Sequence, residues 1–305
     1  MNMKTLFKSM AIIGGLTLAA CTNLEEERVD FGINPTLGIN PTLMEQAFPS
    51  AVKEKITLEN GMTFEKYKEN IIWGGDMLIP ESIFEALKNP VQTRGAIIDN
   101  TKYQWPNGTV YYQFDPAILA ETKNIILKAM EEWNFSTGGV IKFVERTNQK
   151  NYVWIFNGDG NFSTLGMRGG EQKLSLYPGE GRGSALHEIG HTLGLIHEQS
   201  RSDRDEYINI MWDNIQVGTK TNFEIWPEHH TIVAFLHDEF DFESIMLYPS
   251  YNNFAITYSK PTITKKDGST FTAQRNYLNS TAIRAVCAVY GYPSGGGGGG
   301  IFKVE

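Results

Sequence analysis

Three of the chain's six histidines, His187, His191 and His197, fall within one run, His-Glu-Ile-Gly-His-Thr-Leu-Gly-Leu-Ile-His. On a helix, His187 and His191 stand one turn apart on the same face, so their imidazoles can share one metal ion. A third ligand cannot come from the next turn at the required angle, so the helix must stop and the chain fold back. Gly194 is placed for this: without a Cβ it can take the left-handed conformation that ends a helix and bring His197 round. Three protein ligands and an open position describe a catalytic zinc site, whereas structural sites are closed by four. Such a metal acidifies a bound water, and Glu188, next to His187, is placed to act as its general base. A bare His-Glu-x-x-His also occurs in helices that bind nothing; Gly194 and His197 set this one apart.

The extended pattern resembles the metzincin metalloproteases. His197-Glu198, Arg201, Asp203-Arg204-Asp205 and Tyr207 narrow the likeness to the astacin family. Ser244-Ile245-Met246-Leu247-Tyr248 resembles the astacin Met-turn, with Leu247 where the family usually has His. The resemblance implies that Met246 lies under the metal, that Tyr248 reaches the zinc at rest and hydrogen-bonds the oxyanion in turnover, and that the substrate is a protein or peptide. It also implies a fold: an α+β zincin-like domain with a mixed, mostly parallel sheet, an antiparallel edge strand and two long helices above a cleft, and an irregular lower subdomain. In astacins the strand corresponding to 173–177 lies at the sheet edge, where an extended substrate can add as another strand.

Of the 305 residues 41% are hydrophobic, enough for an ordinary globular core in one large domain or two small ones. The net charge of -8, with no basic cluster to offset it, argues against nucleic acid as a partner. There are two cysteines, Cys21 and Cys287, so no disulfide framework is expected, and Cys287 reads as a buried apolar residue. Astacin catalytic domains generally carry two disulfides, so packing and metal must hold this one.

Lys4 and Lys8 followed by an apolar run over 10–20 have the layout of a secretory signal and are too short to span a bilayer. Leu18-Ala19-Ala20-Cys21 resembles a bacterial lipobox, which implies a signal peptide over 1–20, lipidation of Cys21 and export across the inner membrane. The product would be an outer-membrane or cell-surface lipoprotein, or one released after activation. An ordinary signal peptide that happens to meet a cysteine is the alternative. Residues 21–43, with two copies of Gly-Ile-Asn-Pro-Thr-Leu, read as a tether.

Residues 44–94 read as short helical and polar stretches. Within them Trp73-Gly74-Gly75-Asp76 resembles the aromatic-x-Gly-Asp motif of astacin pro-segments, whose aspartate occupies the zinc in the latent enzyme; a Gly-Gly-Asp surface turn is the plainer reading. The resemblance makes 44–94 an inhibitory pro-segment and 95–293 the catalytic domain, with an activating protease cutting near Arg94. Gly95 and Ala96 both qualify as the new first residue, whose ammonium group would approach Glu198.

Further on, 109–114, 140–145 and 152–157 read as strands, 116–133 and 280–290 as helices, and 151–163 as a polar loop. Trp212, Phe223 and Trp226 read as anchors of the lower half, His229, His230 and His237 have no ligand spacing, and 294–305 is a Gly-rich flexible tail. The expected product is a monomeric zinc endopeptidase made as a latent precursor. Two other readings are a surface-binding lipoprotein that keeps zinc as a structural element and a zinc amidase acting on peptidoglycan.

Overall fold

The computed structural model describes residues 45–59, 61–88, 101–226 and 240–291. The signal, tether, lipobox cysteine, cleavage region 94–96, the three later histidines and the tail lie outside the described residues.

Among the described residues the main sheet has nine strands. Three runs rich in β-branched and aromatic residues, β5 (Thr109–Phe114), β6 (Lys142–Glu145) and β7 (Tyr152–Phe156), form a parallel set with β5 in the middle. β9 (Glu171–Ser175) pairs parallel with β7, and β8 (Phe162–Thr164) closes the set antiparallel to β9. This is the mixed sheet expected, with one correction: the antiparallel edge strand is β8, inside the stretch read as loop, and the segment from 173 onward belongs to an interior strand. β8 has three residues, all buried, so it carries no alternation to betray it.

The N-terminal segment corrects a second expectation. In place of short helices it forms a meander of β1 (Glu54–Thr57), β2 (Thr63–Tyr67), β3 (Asn70–Trp73) and β4 (Met77–Ile79), followed by α1 (Glu81–Leu87). β3 and β4 are buried throughout, which explains the unbroken runs Ile71-Ile72-Trp73 and Met77-Leu78-Ile79. β4 pairs parallel with β8, so the meander continues the sheet across what would otherwise be its open edge. The Ser163 amide donates to Asp76 O at 3.1 Å and the Leu165 amide to Leu78 O at 3.0 Å.

Two helices cover the other part of the sheet. α2 (Ala120–Ser136) begins after the turn at Pro116, and buries Ile126, Ala129, Met130 and Trp133. α3 (Arg182–Thr192) lies against it, tied by Trp133 Nε1 donating to Leu186 O at 3.1 Å. α4 (Ser280–Tyr290) seals this core with Ile283, Val286 and Cys287. Cys287 is fully buried in this core, as its reading as an apolar residue predicts. The lower half is irregular as expected: a small antiparallel ladder of β10 (Ile208–Ile210) and β11 (Ile263–Lys265), and an aromatic cluster of Phe223, Phe240, Tyr248 and Phe254. Phe223 is buried there and Trp226 is buried against the N-terminal segment, whereas Trp212 is 38% exposed, its ring facing the Arg204 guanidinium.

Candidate active site

α3 is the scaffold of the site. It is buried along nearly its whole length, which a helix carrying two histidines and a glutamate tolerates only if those groups are satisfied from outside it. It ends where the spacing predicts, and Gly194 has φ +102°. The amide of Gly194 donates to His191 O and that of Leu195 to Gly190 O, each at 2.9 Å, and this reversal delivers His197.

The three imidazoles converge, and two of them are oriented by backbone carbonyls. His187 Nδ1 donates to Ile245 O at 2.8 Å and His191 Nδ1 to Leu195 O at 2.7 Å. A carbonyl only accepts, so Nδ1 carries the proton in both rings and each Nε2 presents a lone pair. His187 Nε2 and His197 Nε2 lie 3.3 Å apart.

Asp76 enters this cluster from the meander, fully buried. Its Oδ2 is 3.5 Å from His187 Nε2, and its Oδ1 is 3.5 Å from His191 Nε2 and 3.3 Å from His197 Nε2. Neither oxygen has a hydrogen-bond partner. A tetrahedral zinc with bonds of about 2.0–2.1 Å places neighbouring ligand atoms about 3.3–3.4 Å apart, and the observed separations match that edge length. The donor set also fits in charge. Burial opposes ionisation of Asp76, and His197, His187 and His191 outweigh it, holding the carboxyl well below the usual range. Burial lowers His191 to about 4, keeping that ring neutral. One carboxylate among buried nitrogen lone pairs is the complement of a divalent cation, so His187, His191, His197 and Asp76 together can hold one zinc ion.

The remaining predicted residues surround this centre. Both Glu188 oxygens are buried without partners, and burial, with the charge of Asp76, raises its carboxyl well above the usual range. Tyr248 is fully buried, its ring centroid 4.6 Å from that of His197, and its hydroxyl donates to Gly74 O at 2.8 Å. Burial, then Asp76, pushes its phenol well above the ordinary value. Met246 lies against α3 at Gly190, where an added Cβ would stand 2.8 Å from its sulfur. Glu198 accepts from Arg201 Nη1 at 2.8 Å and from the Asp241 amide at 3.1 Å. Burial still raises its carboxyl above the usual value, against the pull of Arg201.

The Gly-Gly pair before Asp76 is needed where it stands. Gly74 and Gly75 have φ of +63° and +92°. A Cβ on Gly74 would come within 2.7 Å of Met77 Cε and 3.1 Å of His197 Nδ1, and one on Gly75 within 2.9 Å of Asn222 Nδ2.

Sequence reasoning missed several contributors. Gly190 has only its position between the histidines as a signal. Gln199 Oε1 accepts from the Tyr248 amide at 3.1 Å and so fixes the backbone of that tyrosine. Glu45, fully buried at the start of the described chain, takes both prongs of Arg275, Nε to Oε1 at 2.8 Å and Nη2 to Oε2 at 3.0 Å. Arg275 also donates to Leu247 O in the Met-turn at 3.2 Å. Nothing local in either stretch announces that pair.

The comparisons with known proteins agree with this geometry. The family profile described as Astacin, a peptidase family, matches residues 97–291. Flavastacin of Elizabethkingia meningoseptica is 33% identical over 273 residues, covering 81% of this chain, which in turn spans 60% of flavastacin. Zinc metalloproteinase nas-4 of Caenorhabditis elegans is 32% identical over 243 residues, 78% of this chain and 73% of nas-4. Among solved structures, high choriolytic enzyme 1, a hatching enzyme zinc-protease from the medaka Oryzias latipes, matches with a TM-score of 0.55 and 32% identity. It covers 61% of this chain and 92% of its own. With its histidine triad, Met-turn and mixed sheet in the expected places, the chain belongs to the astacin family of zinc metallopeptidases.

Proposed function

We propose that the protein is a zinc endopeptidase stored as a latent precursor by its own N-terminal segment. The observation that carries this reading is Asp76: one buried carboxylate within 3.5 Å of all three histidine nitrogens, delivered by the turn that leads into β4, the strand paired with β8. Asp76 takes the fourth ligand position, and β4 takes the place where an extended peptide would pair.

After processing, the backbone of a substrate adds to β8 through the Ser163 and Leu165 amides, which donate to Asp76 O and Leu78 O in the precursor. His187, His191 and His197 would hold the zinc, which would supply an acidified water and Lewis-acid polarisation of the scissile carbonyl. Glu188 takes a proton from the attacking water and passes it to the leaving amine. Tyr248, released from Gly74 O, donates its hydroxyl to the tetrahedral oxyanion, since a phenol keeps its proton at neutral pH. Tyr248→Phe is accordingly expected to lower kcat by about two to three powers of ten with zinc content unchanged. Loss of zinc in that variant would make Tyr248 an essential ligand instead.

Cleavage near Arg94 activates the precursor, and the new ammonium group joins Glu198. A buried carboxylate raised in pKa gains from a second cation. The test is casein hydrolysis by the full chain before and after limited trypsin, with zinc content and the new N-terminus read on the same samples. Activity that rises as a terminus forms near Gly95 is the expected result. Equal activity before and after the cut overturns latency, and a zinc-loaded protein inert in both forms overturns the peptidase reading.

Export as a lipoprotein rests on the lipobox alone. With two cysteines in the chain, a lipid on Cys21 and a disulfide within the chain at Cys287 exclude each other. The mass of the peptide beginning at Cys21 from the membrane fraction decides: an added diacylglyceryl group supports the anchor, and an unmodified thiol or disulfide removes it.

A further inference from the structure

A buried apolar cluster joins the N-terminal segment to side chains from both halves of the catalytic domain. Leu165 follows edge strand β8, Ile196 precedes the third histidine, Tyr103 comes from the segment before β5, and Trp226 is anchored in the lower half by its amide donating to Ser200 O at 2.7 Å. These four share one buried cluster with Trp73, Met77, Ile79 and other side chains of the N-terminal segment. Trp73 stands three residues before Asp76, and it meets Trp226 edge-on with ring centroids 4.6 Å apart and planes at 88°. Both indoles are buried, Trp73 at 1% and Trp226 at 2% exposed, and neither Nε1 has an acceptor.

We infer that Tyr103, Leu165, Ile196 and Trp226 form a subsite for a large aromatic side chain of the peptide substrate, and that Trp73 fills it in the precursor. The inference rests on the peptidase reading and deepens it. Removal of the N-terminal segment uncovers four large apolar side chains, two of them aromatic, at the end of the strand that receives substrate. A contiguous apolar patch of that kind marks a binding surface. Its occupant in the precursor comes from this chain and carries a flat ring whose Nε1 finds no acceptor, so the recess selects by shape and apolar area. Because Leu165 continues the backbone pairing of β8, a peptide added at that edge carries its side chains past the recess at a fixed register.

The test uses the full chain after processing and a set of internally quenched peptides with Ala, Asp, Leu, Phe, Tyr or Trp placed singly at each position within about three residues of the scissile bond. One position is expected to favour an aromatic residue over alanine by about tenfold or more in kcat/KM. Trp226→Ala should bring that ratio to within about threefold of unity, while Trp226→Phe keeps most of it. The ratio is unaffected by loss of folded enzyme. An aromatic preference that survives Trp226→Ala, or a variant that slows every peptide equally, overturns the subsite and leaves Trp226 a structural residue that retains the pro-segment.

A second measurement separates this from failure of the peptidase reading. Fluorescence anisotropy of labelled peptides on zinc-loaded, processed Glu188→Gln protein reads binding without turnover. Tighter binding of the aromatic peptide, lost in the double variant with Trp226→Ala, supports the subsite even if no peptide is ever cut. Equal binding of aromatic and alanine peptides overturns it even if casein is hydrolysed.

Discussion

Replacing Glu188 by alanine in the processed protein is expected to leave one zinc per chain and to lower kcat/KM for casein-derived peptides by about two to four powers of ten. The zinc survives because Glu188 is outside the ligand set: the converging donors are His187, His191, His197 and, in the precursor, Asp76. The turnover falls because both oxygens of Glu188 are buried without hydrogen-bond partners, so no other group holds the carboxylate and none replaces it as a proton carrier. Metal analysis and single-substrate kinetics on the same preparation check both halves. Retained turnover at full zinc would require a different base, and loss of zinc would mean that Glu188 holds the site together.

Asp76→Ala in the uncut full chain is expected to raise hydrolysis at least about tenfold over the wild-type precursor while staying below the processed enzyme. The rise follows from opening the fourth ligand position, since the aspartate is the one group of the N-terminal segment in the donor set. The shortfall follows from the sheet: β4 still pairs with β8, and Tyr248 still donates to Gly74 O, so substrate must compete for the edge and the oxyanion donor is engaged. The comparison needs uncut protein, verified by its mass, measured beside the processed form. An uncut Asp76→Ala precursor as silent as wild type, with full activity once processed, would show that coverage alone enforces latency and that the aspartate adds nothing.

What could be read from the sequence follows from distance along the chain. The histidine triad was legible because all its geometry is local: one helical turn, one glycine at φ +102°, one reversal. Strands such as Thr109–Phe114 and the last helix, Ser280–Tyr290, were legible because their composition or period is unambiguous. Asp76 was found only through resemblance, since no local rule links a Gly-Gly-Asp turn to a helix more than a hundred residues later. The meander was misread because β3 and β4 are buried on both faces, so the alternation that marks a half-exposed strand is missing. The edge strand β8 failed for the same reason at three residues' length. Glu45 and Arg275 lie 230 residues apart, and a buried ion pair at that separation leaves no pattern in either neighbourhood. Leu247, where the family usually has histidine, fits without strain: its side chain is fully buried in the lower aromatic cluster, and its carbonyl receives Arg275.

The four N-terminal strands have a kinetic consequence. Cutting the chain near Arg94 severs one covalent link, yet the β4–β8 pairing, the Trp73–Trp226 contact and the Glu45–Arg275 clamp all persist across the nick. The cut turns an intramolecular contact, held at an effective concentration in the millimolar range for a short linker, into a bimolecular complex governed by mass action. Under the proposed activation, freshly nicked enzyme would be a stoichiometric complex with its own cut fragment. Activity would then emerge with the fragment's off-rate, faster where the products are diluted or the fragment is digested and slower where they are confined. A burst of enzyme at a crowded surface would thus stay restrained until it disperses, which makes the lag before hydrolysis a property of dissociation rather than of the cut itself.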